Sequence, residues 1–143
     1  MKLVKQITAA VTAMAMAASM MSIGASATTT ASWTVRYSYG APTYWNVYQD
    51  TDILTPTKTI NSFNDSCTLN APEFNGSHAT VTLKAYTGTP SSPNYLYINT
   101  YTSNASMHSC NLSSSINNGD NLYIEHTLNV VGYSCSGTGD SYV

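Results

Sequence analysis

The chain carries little charge, since only 8% of its 143 residues are Asp, Glu, Lys or Arg, against about a quarter in an ordinary globular domain. Without the N-terminal leader predicted below, three basic residues stand against seven acidic ones, a net charge of −4. This balance lacks the basic patch that phosphate backbones and anionic lipids require. We therefore expect no nucleic-acid partner.

The N-terminus has the pattern of a secretory signal peptide. Lys2 and Lys5 precede an uncharged apolar run over 7–21, which is followed by the small residues of 25–27. This order predicts a signal peptide over 1–27 and a single mature domain over 28–143. The run is short for a membrane span and no stop-transfer cluster follows it, so we expect a secreted, extracellular or cell-surface protein with no membrane span in the mature chain.

Apolar and polar side chains alternate with a period of two through much of the mature domain, which indicates half-buried strands. The clearest alternation covers 79–86 and 122–130, and another segment covers 33–39. Weaker strands are predicted at 44–49, 57–63, 66–70, 95–102 and 107–112. About eight short strands between turns predict an all-β fold, an antiparallel β-sandwich of the jelly-roll or Ig-like kind.

The acidic pair Asp50 and Asp52 could offer oxygens to Ca²⁺, but it lacks the further ligands of a calcium loop. Turn formation by Asp is the simpler explanation. We therefore expect no metal and no cofactor.

A tyrosine-rich strand is the feature most suggestive of ligand binding. If Leu96 and Ile98 point into the core, the alternating residues share the outer face. Aromatic rings stack on the C–H faces of sugars, while hydroxyl and amide groups bind sugar hydroxyls. The predicted ligand-binding residues are Tyr95, Tyr97, Asn99 and Tyr101. Tyr44 and Tyr48 form a second, weaker stripe beside Trp45; in both places tyrosine as an ordinary strand former is the alternative explanation.

The mature domain contains three cysteines, Cys67, Cys110 and Cys135. In an oxidising compartment an odd number predicts one disulfide and one remaining thiol. We expect Cys135 to bridge to either Cys67 or Cys110, because the C-terminal segment of Ser, Gly and Thr would otherwise fray. Zinc is disfavoured because the spacings are wide and no C-x-x-C occurs.

The sequence contains no recognised catalytic motif. His108 and Cys110 would lie on one strand face about 7 Å apart, too far for a direct hydrogen bond. Glu125 and His126 are neighbours on a strand and would point to opposite faces. We therefore expect no enzyme activity.

These observations favour an exported, non-catalytic binding module. The expected partner is an extracellular or cell-wall carbohydrate polymer, because the tyrosine faces suit sugar rings. The alternative is a small secreted interaction protein, bacteriocin-like or assembling on a surface, because sheet edges can add a strand from a partner. The sequence leaves the oligomeric state open.

Overall fold

The protein forms two antiparallel β-sheets of four strands each in the computed structural model, which describes residues 29–70, 79–130 and 134–143. The strands are β1 (Thr30–Tyr37), β2 (Gln49–Leu54), β3 (Ile60–Asn70), β4 (Ala79–Thr89), β5 (Ser92–Tyr101), β6 (Ala105–Ile116), β7 (Leu122–Val130) and β8 (Cys135–Tyr142). The predicted signal peptide lies outside the described residues.

The strands pair in a nested order, β1 with β8, β2 with β7, β3 with β6 and β4 with β5. The first sheet therefore has the order β1-β8-β3-β6 and the second β2-β7-β4-β5. In this nested pairing, one long two-stranded ribbon folds over into two facing sheets. That topology is a jelly roll, one of the two kinds of sandwich that the sequence predicts. The prediction of an all-β sandwich with eight strands is confirmed.

The hydrophobic core lies between the two sheets and follows the predicted alternation. On β4, Val81, Leu83 and Ala85 are fully buried, while the intervening residues face outward. The same pattern on β7 buries Leu122 and Ile124. Strands half-buried in this way stabilise the fold through their inward faces. In the part of the chain that the structure describes, no helix is long and apolar enough to cross a membrane.

Several predicted strand bounds are wrong. The segment predicted as a strand at 44–49 instead contains a short 3-10 turn, Thr43–Trp45, and β2 begins at Gln49. The two strands predicted at 57–63 and 66–70 are one continuous strand, β3. The polar residues around position 65 interrupt the sequence pattern, but they are paired in the sheet on both sides.

The C-terminal segment is a strand and not a fraying tail. β8 lies between β1 and β3 and is hydrogen-bonded to both. Its glycines make room for the core: a Cβ at Gly139 would lie 2.0 Å from the carbonyl oxygen of Ser66 and 2.8 Å from the ring of Trp33. These small residues give no alternating pattern in the sequence, so the strand was not predicted. The same residues allow β3 and the Trp33 ring to pack closely against β8.

Candidate functional site

The four predicted ligand-binding residues do not share one exposed face. In the pairing of β4 with β5, Ala85 stands opposite Tyr97 and Tyr86 opposite Tyr95, so Leu96 is an extra residue in a β-bulge. A bulge reverses the expected alternation on one side of it. Leu96 is buried, whereas Ile98, which was expected in the core, is 59% exposed.

Beyond the bulge, three of the four residues point toward the core. Tyr97 packs edge-on against Phe63, with ring centroids 5.7 Å apart, and Asn99 is half-buried. Tyr101 is only 4% exposed, and its hydroxyl donates a hydrogen bond to Asp65 at 2.5 Å. The prediction of an aromatic platform is therefore corrected. Among the four residues, only Tyr95 has an exposed ring.

Tyr95 instead joins a row of tyrosines across the outer face of the second sheet. Tyr86 stacks on Tyr123, with centroids 5.3 Å apart and planes 7° apart, and meets Tyr95 edge-on. Beside this row, Lys84 binds Glu125 at 2.8 Å, which raises the pKa of Lys84. The alternation of β4 and β7 already placed Tyr86 and Tyr123 outside. Their rings contact one another, so this row stabilises the sheet face.

Among the described residues, the most exposed aromatic side chains lie on the loop between β1 and β2, residues 38–48, which we call the aromatic loop. Tyr44 is 78% exposed and Tyr39 is 70% exposed. Trp45 and Tyr48 are 52% and 46% exposed. The rings of Tyr44 and Trp45 are neighbours, with centroids 6.0 Å apart, and exposed apolar side chains that adjoin one another mark interaction sites. Of the second stripe noted in the sequence, Tyr44 and Tyr48 both belong to this loop.

Backbone hydrogen bonds hold the base of the aromatic loop. Arg36 and Val47 exchange two of them, at 2.8 and 2.9 Å, which joins the end of β1 to the residues before β2. The amide of Ser38 donates to the side chain of Asn46 at 2.9 Å, and the amide of Tyr39 donates to Ser134 at 2.8 Å. These contacts fix the base of the loop, and a loop whose base is held in place loses less conformational entropy when it binds.

Arg36 also positions the tryptophan of the loop. Its Nε donates to the carbonyl oxygen of Trp45 at 2.7 Å, and its guanidinium lies 5.8 Å from the centre of the Trp45 ring. The cation thus covers one side of the indole and orients it. Since Trp45 is still half-exposed, the rest of the ring is open to a ligand.

The aromatic loop itself carries no Asp, Glu, Lys or Arg from Tyr37 to Gln49. Its polar groups are hydroxyls, amides and the indole N–H. Such a surface can stack on apolar C–H faces and exchange hydrogen bonds with hydroxyls. The cation beside it, Arg36, lies against the Trp45 ring and donates to the Trp45 carbonyl oxygen. The chemistry of the loop suits a neutral, hydroxylated ligand.

A second group of polar side chains lies in the interior. Asp65 is fully buried and accepts hydrogen bonds from Tyr101 and Ser141, each at 2.5 Å. Nε2 of His126 donates to the same carboxylate at 3.2 Å. The ring of Trp33 stacks on His126 at 3.9 Å. This cluster joins the two sheets, and its buried members have no contact with solvent through which a substrate could approach.

The expected separation of His108 and Cys110 is wrong. The imidazole bends toward the strand, and its Nε2 lies 3.6 Å from the Cys110 sulfur. Its Nδ1 lies 3.1 Å from the carbonyl oxygen of Ser106, so Nδ1 carries the proton and Nε2 accepts from the thiol. However, the thiol is fully buried, and burial raises its pKa to about 11. A protonated, enclosed thiol is a poor nucleophile.

The predicted disulfide is also corrected, since Cys67, Cys110 and Cys135 are all free and buried. Cys67 pairs with Ala105, five residues from Cys110 along β6 and about 17 Å away at the spacing of a strand. The registers Asp65 with Ser141 and Thr68 with Thr138 put Cys67 opposite position 139, about 13 Å from Cys135. A disulfide needs Cα atoms within about 7 Å.

The remaining pair, Cys110 and Cys135, lies on β6 and β8 with β3 between them. Two strand spacings are about 10 Å, which is also beyond the reach of a disulfide. The sequence argument failed because the C-terminal segment is already held by hydrogen bonds to β1 and β3. It needs no covalent link to prevent fraying.

The acidic pair on β2 is part of the fold. Asp50 accepts a hydrogen bond from the amide of Thr34 at 2.8 Å, which links β2 to β1. Burial and the neighbouring Asp50 raise the pKa of Asp52, and His126 acts in the opposite direction. Among the residues that the structure describes, no three His, Cys, Asp or Glu side chains are grouped so as to hold a metal ion.

No protein-family model matches the chain, and no curated protein matches it. The functional assignment therefore depends on the geometry and chemistry of the site.

Proposed function

We propose that the protein is a non-catalytic binding module that docks an extracellular or cell-wall carbohydrate through the aromatic loop. The observation that carries the proposal is the exposure of four aromatic rings, 46–78% of each side chain, on one uncharged loop. Two of these rings, Tyr44 and Trp45, adjoin one another with centroids 6.0 Å apart, as exposed apolar side chains at interaction sites do. Export, expected from the N-terminal pattern, would bring the module to such polymers.

The order of the loop supports recognition of a rigid ligand. Tyr and Trp have few rotatable bonds, so little side-chain entropy is lost when they bind. The contacts of Arg36 with Trp45 restrain the indole further. The ligand chemistry follows from the residues: ring faces stack on C–H groups, and the surrounding hydroxyls and amides bind sugar hydroxyls.

A pull-down on insoluble cellulose, chitin, xylan and peptidoglycan tests the proposal. We expect retention on at least one polymer, with two- to tenfold weaker retention of Trp45→Ala and of Tyr44→Ala, the range of one aromatic contact. Tyr95→Ala is the matched control, because Tyr95 is 45% exposed but lies on the second sheet face. Retention on no polymer, or equal losses for Tyr95→Ala and Trp45→Ala, would contradict the proposal.

Tryptophan fluorescence gives an independent measurement, because the chain has two tryptophans. Trp33 is 1% exposed in the core and Trp45 is 52% exposed on the loop. Soluble oligosaccharide that binds the loop should change the emission of Trp45 and shield it from acrylamide. Trp45→Phe keeps an aromatic ring but should lose this signal.

One observation favours a second candidate, self-assembly at a sheet edge. β6 is an edge strand of the first sheet and contains no charged residue and no proline over its 12 residues. Edges without such residues are open to pairing with another chain. Light scattering during size-exclusion chromatography should then show association that Ser113→Lys weakens. A monomer at high concentration would remove this candidate.

A further inference from the structure

A cavity lies at the end of the sandwich opposite the aromatic loop. It has a volume of about 390 Å³ and lies where the end of β4, the end of β6 and the loop before β7 meet. Along β7, the aromatic loop contacts Leu128 through Tyr48, whereas the cavity borders Tyr123. Five residues of strand separate these points by about 17 Å.

The cavity is lined mainly by polar groups, and two side chains of the hydrophobic core adjoin them. Leu96 and Ile116, which are 7% and 3% exposed, belong to the hydrophobic core and line it. Its walls include Ser114, Asp120 and Asn121. The volume is in the range of small-molecule sites, which begins near 300 Å³, and the polar lining suits a ligand rich in hydroxyl groups.

Existing hydrogen bonds orient the polar groups of the walls. Asn117 donates to one carboxylate oxygen of Asp120 at 3.2 Å, so the other oxygen is available to accept. Thr55 donates to the amide oxygen of Asn121 at 3.2 Å, which leaves the Asn121 N–H groups as donors. The residues that line the cavity therefore include a carboxylate acceptor, an amide donor and the hydroxyl of Ser114.

Gly88, which lines the cavity, also allows the tight hairpin between β4 and β5. Its φ of +92° favours glycine, and a Cβ there would lie 2.7 Å from the carbonyl oxygen of Ser92. Only glycine therefore fits this position, and the hairpin between β4 and β5 turns tightly beside the cavity.

From this arrangement we infer that the cavity is a second binding site, for a single neutral polyhydroxylated unit such as a monosaccharide. The carboxylate of Asp120 accepts from sugar hydroxyls and the amide of Asn121 donates to them. The Tyr123 ring, which also lines the cavity, can contact C–H groups. An anionic ligand is disfavoured because Asp120 is the one charged residue lining the cavity in the described part of the chain. The inference does not require that the aromatic loop binds polymer.

The test is a titration of the ¹⁵N-labelled protein with glucose, galactose, xylose and N-acetylglucosamine, followed by amide chemical shifts. We expect at least one monosaccharide to shift the amides of Gly88, Asp120 and Asn121 while those of residues 38–48 stay in place. Asp120→Asn should weaken this binding about tenfold, as loss of a charge-assisted hydrogen bond does. Asp140→Asn, at an exposed carboxylate on β8, is the matched control and should bind normally.

Two further arms separate the possible ligands and the two sites. Methylammonium tests for a cation site, and shifts with methylammonium but with no sugar would overturn the inference. The absence of shifts at the cavity with every monosaccharide would also overturn it. Tyr44→Ala and Trp45→Ala should leave the monosaccharide titration unchanged, so failure of polymer retention and failure of this site are distinguishable.

Discussion

The carboxylate of Asp65 on β3 accepts a hydrogen bond from Nε2 of His126 on β7, at 3.2 Å, in the fully buried space between the two sheets. Tyr101 of β5 and Ser141 of β8 donate to the same carboxylate. A buried carboxylate is costly unless it is hydrogen-bonded. Here the donors come from three other strands, so the charge is compatible with the fold only when both sheets are assembled.

Removal of one donor should therefore destabilise the protein. Tyr101→Phe leaves the ring in place but removes the hydroxyl, and we expect a loss of about 1.5–3 kcal/mol in the free energy of unfolding, the usual value for a hydrogen bond to a charged group. Urea unfolding measures it. Tyr95→Phe is the control, because its ring lies at the surface. A loss below about 0.5 kcal/mol for Tyr101→Phe would show that the contact contributes little.

Removal of the acceptor should cost more. Asp65→Ala leaves the buried donors of His126, Tyr101 and Ser141 without a partner, and we expect a loss of about 3–5 kcal/mol, as for other broken buried pairs. Ser141→Ala removes a single donor and should cost less than Asp65→Ala. If Asp65→Ala were as stable as the parent protein in urea, the cluster would not hold the sheets together.

Gly139→Ala should be among the most damaging substitutions in the chain. The added Cβ would lie 2.0 Å from a backbone oxygen of β3, and a backbone atom cannot move aside as the end of a side chain can. We expect a loss of about 3 kcal/mol or more, or failure to fold. Thermal unfolding monitored by circular dichroism compares it with Thr138→Ala, at the exposed neighbouring position, which should change little.

Asp52→Asn should stabilise the protein at neutral pH. Burial raises the pKa of Asp52 in the folded state above its ordinary value of 3.8, so ionisation of Asp52 lowers the free energy of unfolding as the pH rises. The amide removes this effect, and we expect a gain below about 1 kcal/mol because solvent screens a half-buried group. Unfolding curves from pH 3 to pH 7 should show a gain at pH 7 that disappears toward pH 3. A constant difference would contradict the assignment.

The three cysteines should behave as buried thiols. Burial raises the pKa of Cys67 to about 12 and that of Cys110 to about 11, and it also raises the pKa of Cys135. Iodoacetamide at pH 8 should leave all three unmodified in the native protein and modify all three in denaturant, as counted by mass spectrometry. Dithiothreitol should not change the melting temperature. A disulfide-linked peptide in a non-reducing digest would contradict the structure.

Arg36→Lys should weaken binding by the aromatic loop although every aromatic ring remains. Arg36→Lys keeps the charge but loses the Nε donor to the Trp45 carbonyl oxygen. We expect polymer retention to fall two- to tenfold while the melting temperature changes little, because the strands remain paired. Equal retention of the variant and the parent would show that Arg36 does not position Trp45 for binding.

The sequence by itself determined the class of fold and the inner faces of β4 and β7. Their alternation is unambiguous, because aliphatic residues occupy every second position of β4, and of β7 except at His126, and only one register buries them. It also placed Tyr86, Tyr123 and Glu125 outside. In these strands the residues that are buried can be recognised from their spacing along the chain alone.

Only the tertiary structure decided the face of β5 and the existence of β8. Tyrosine suits either side of a sheet, so a single bulge at Leu96 was enough to turn Tyr101 toward the buried Asp65. β8 consists of small and polar residues whose place is set by neighbours distant in sequence, Trp33 above all. Such contacts leave no periodic signal, because the energy that fixes them comes from the fit between strands and not from the burial of the strand's own side chains.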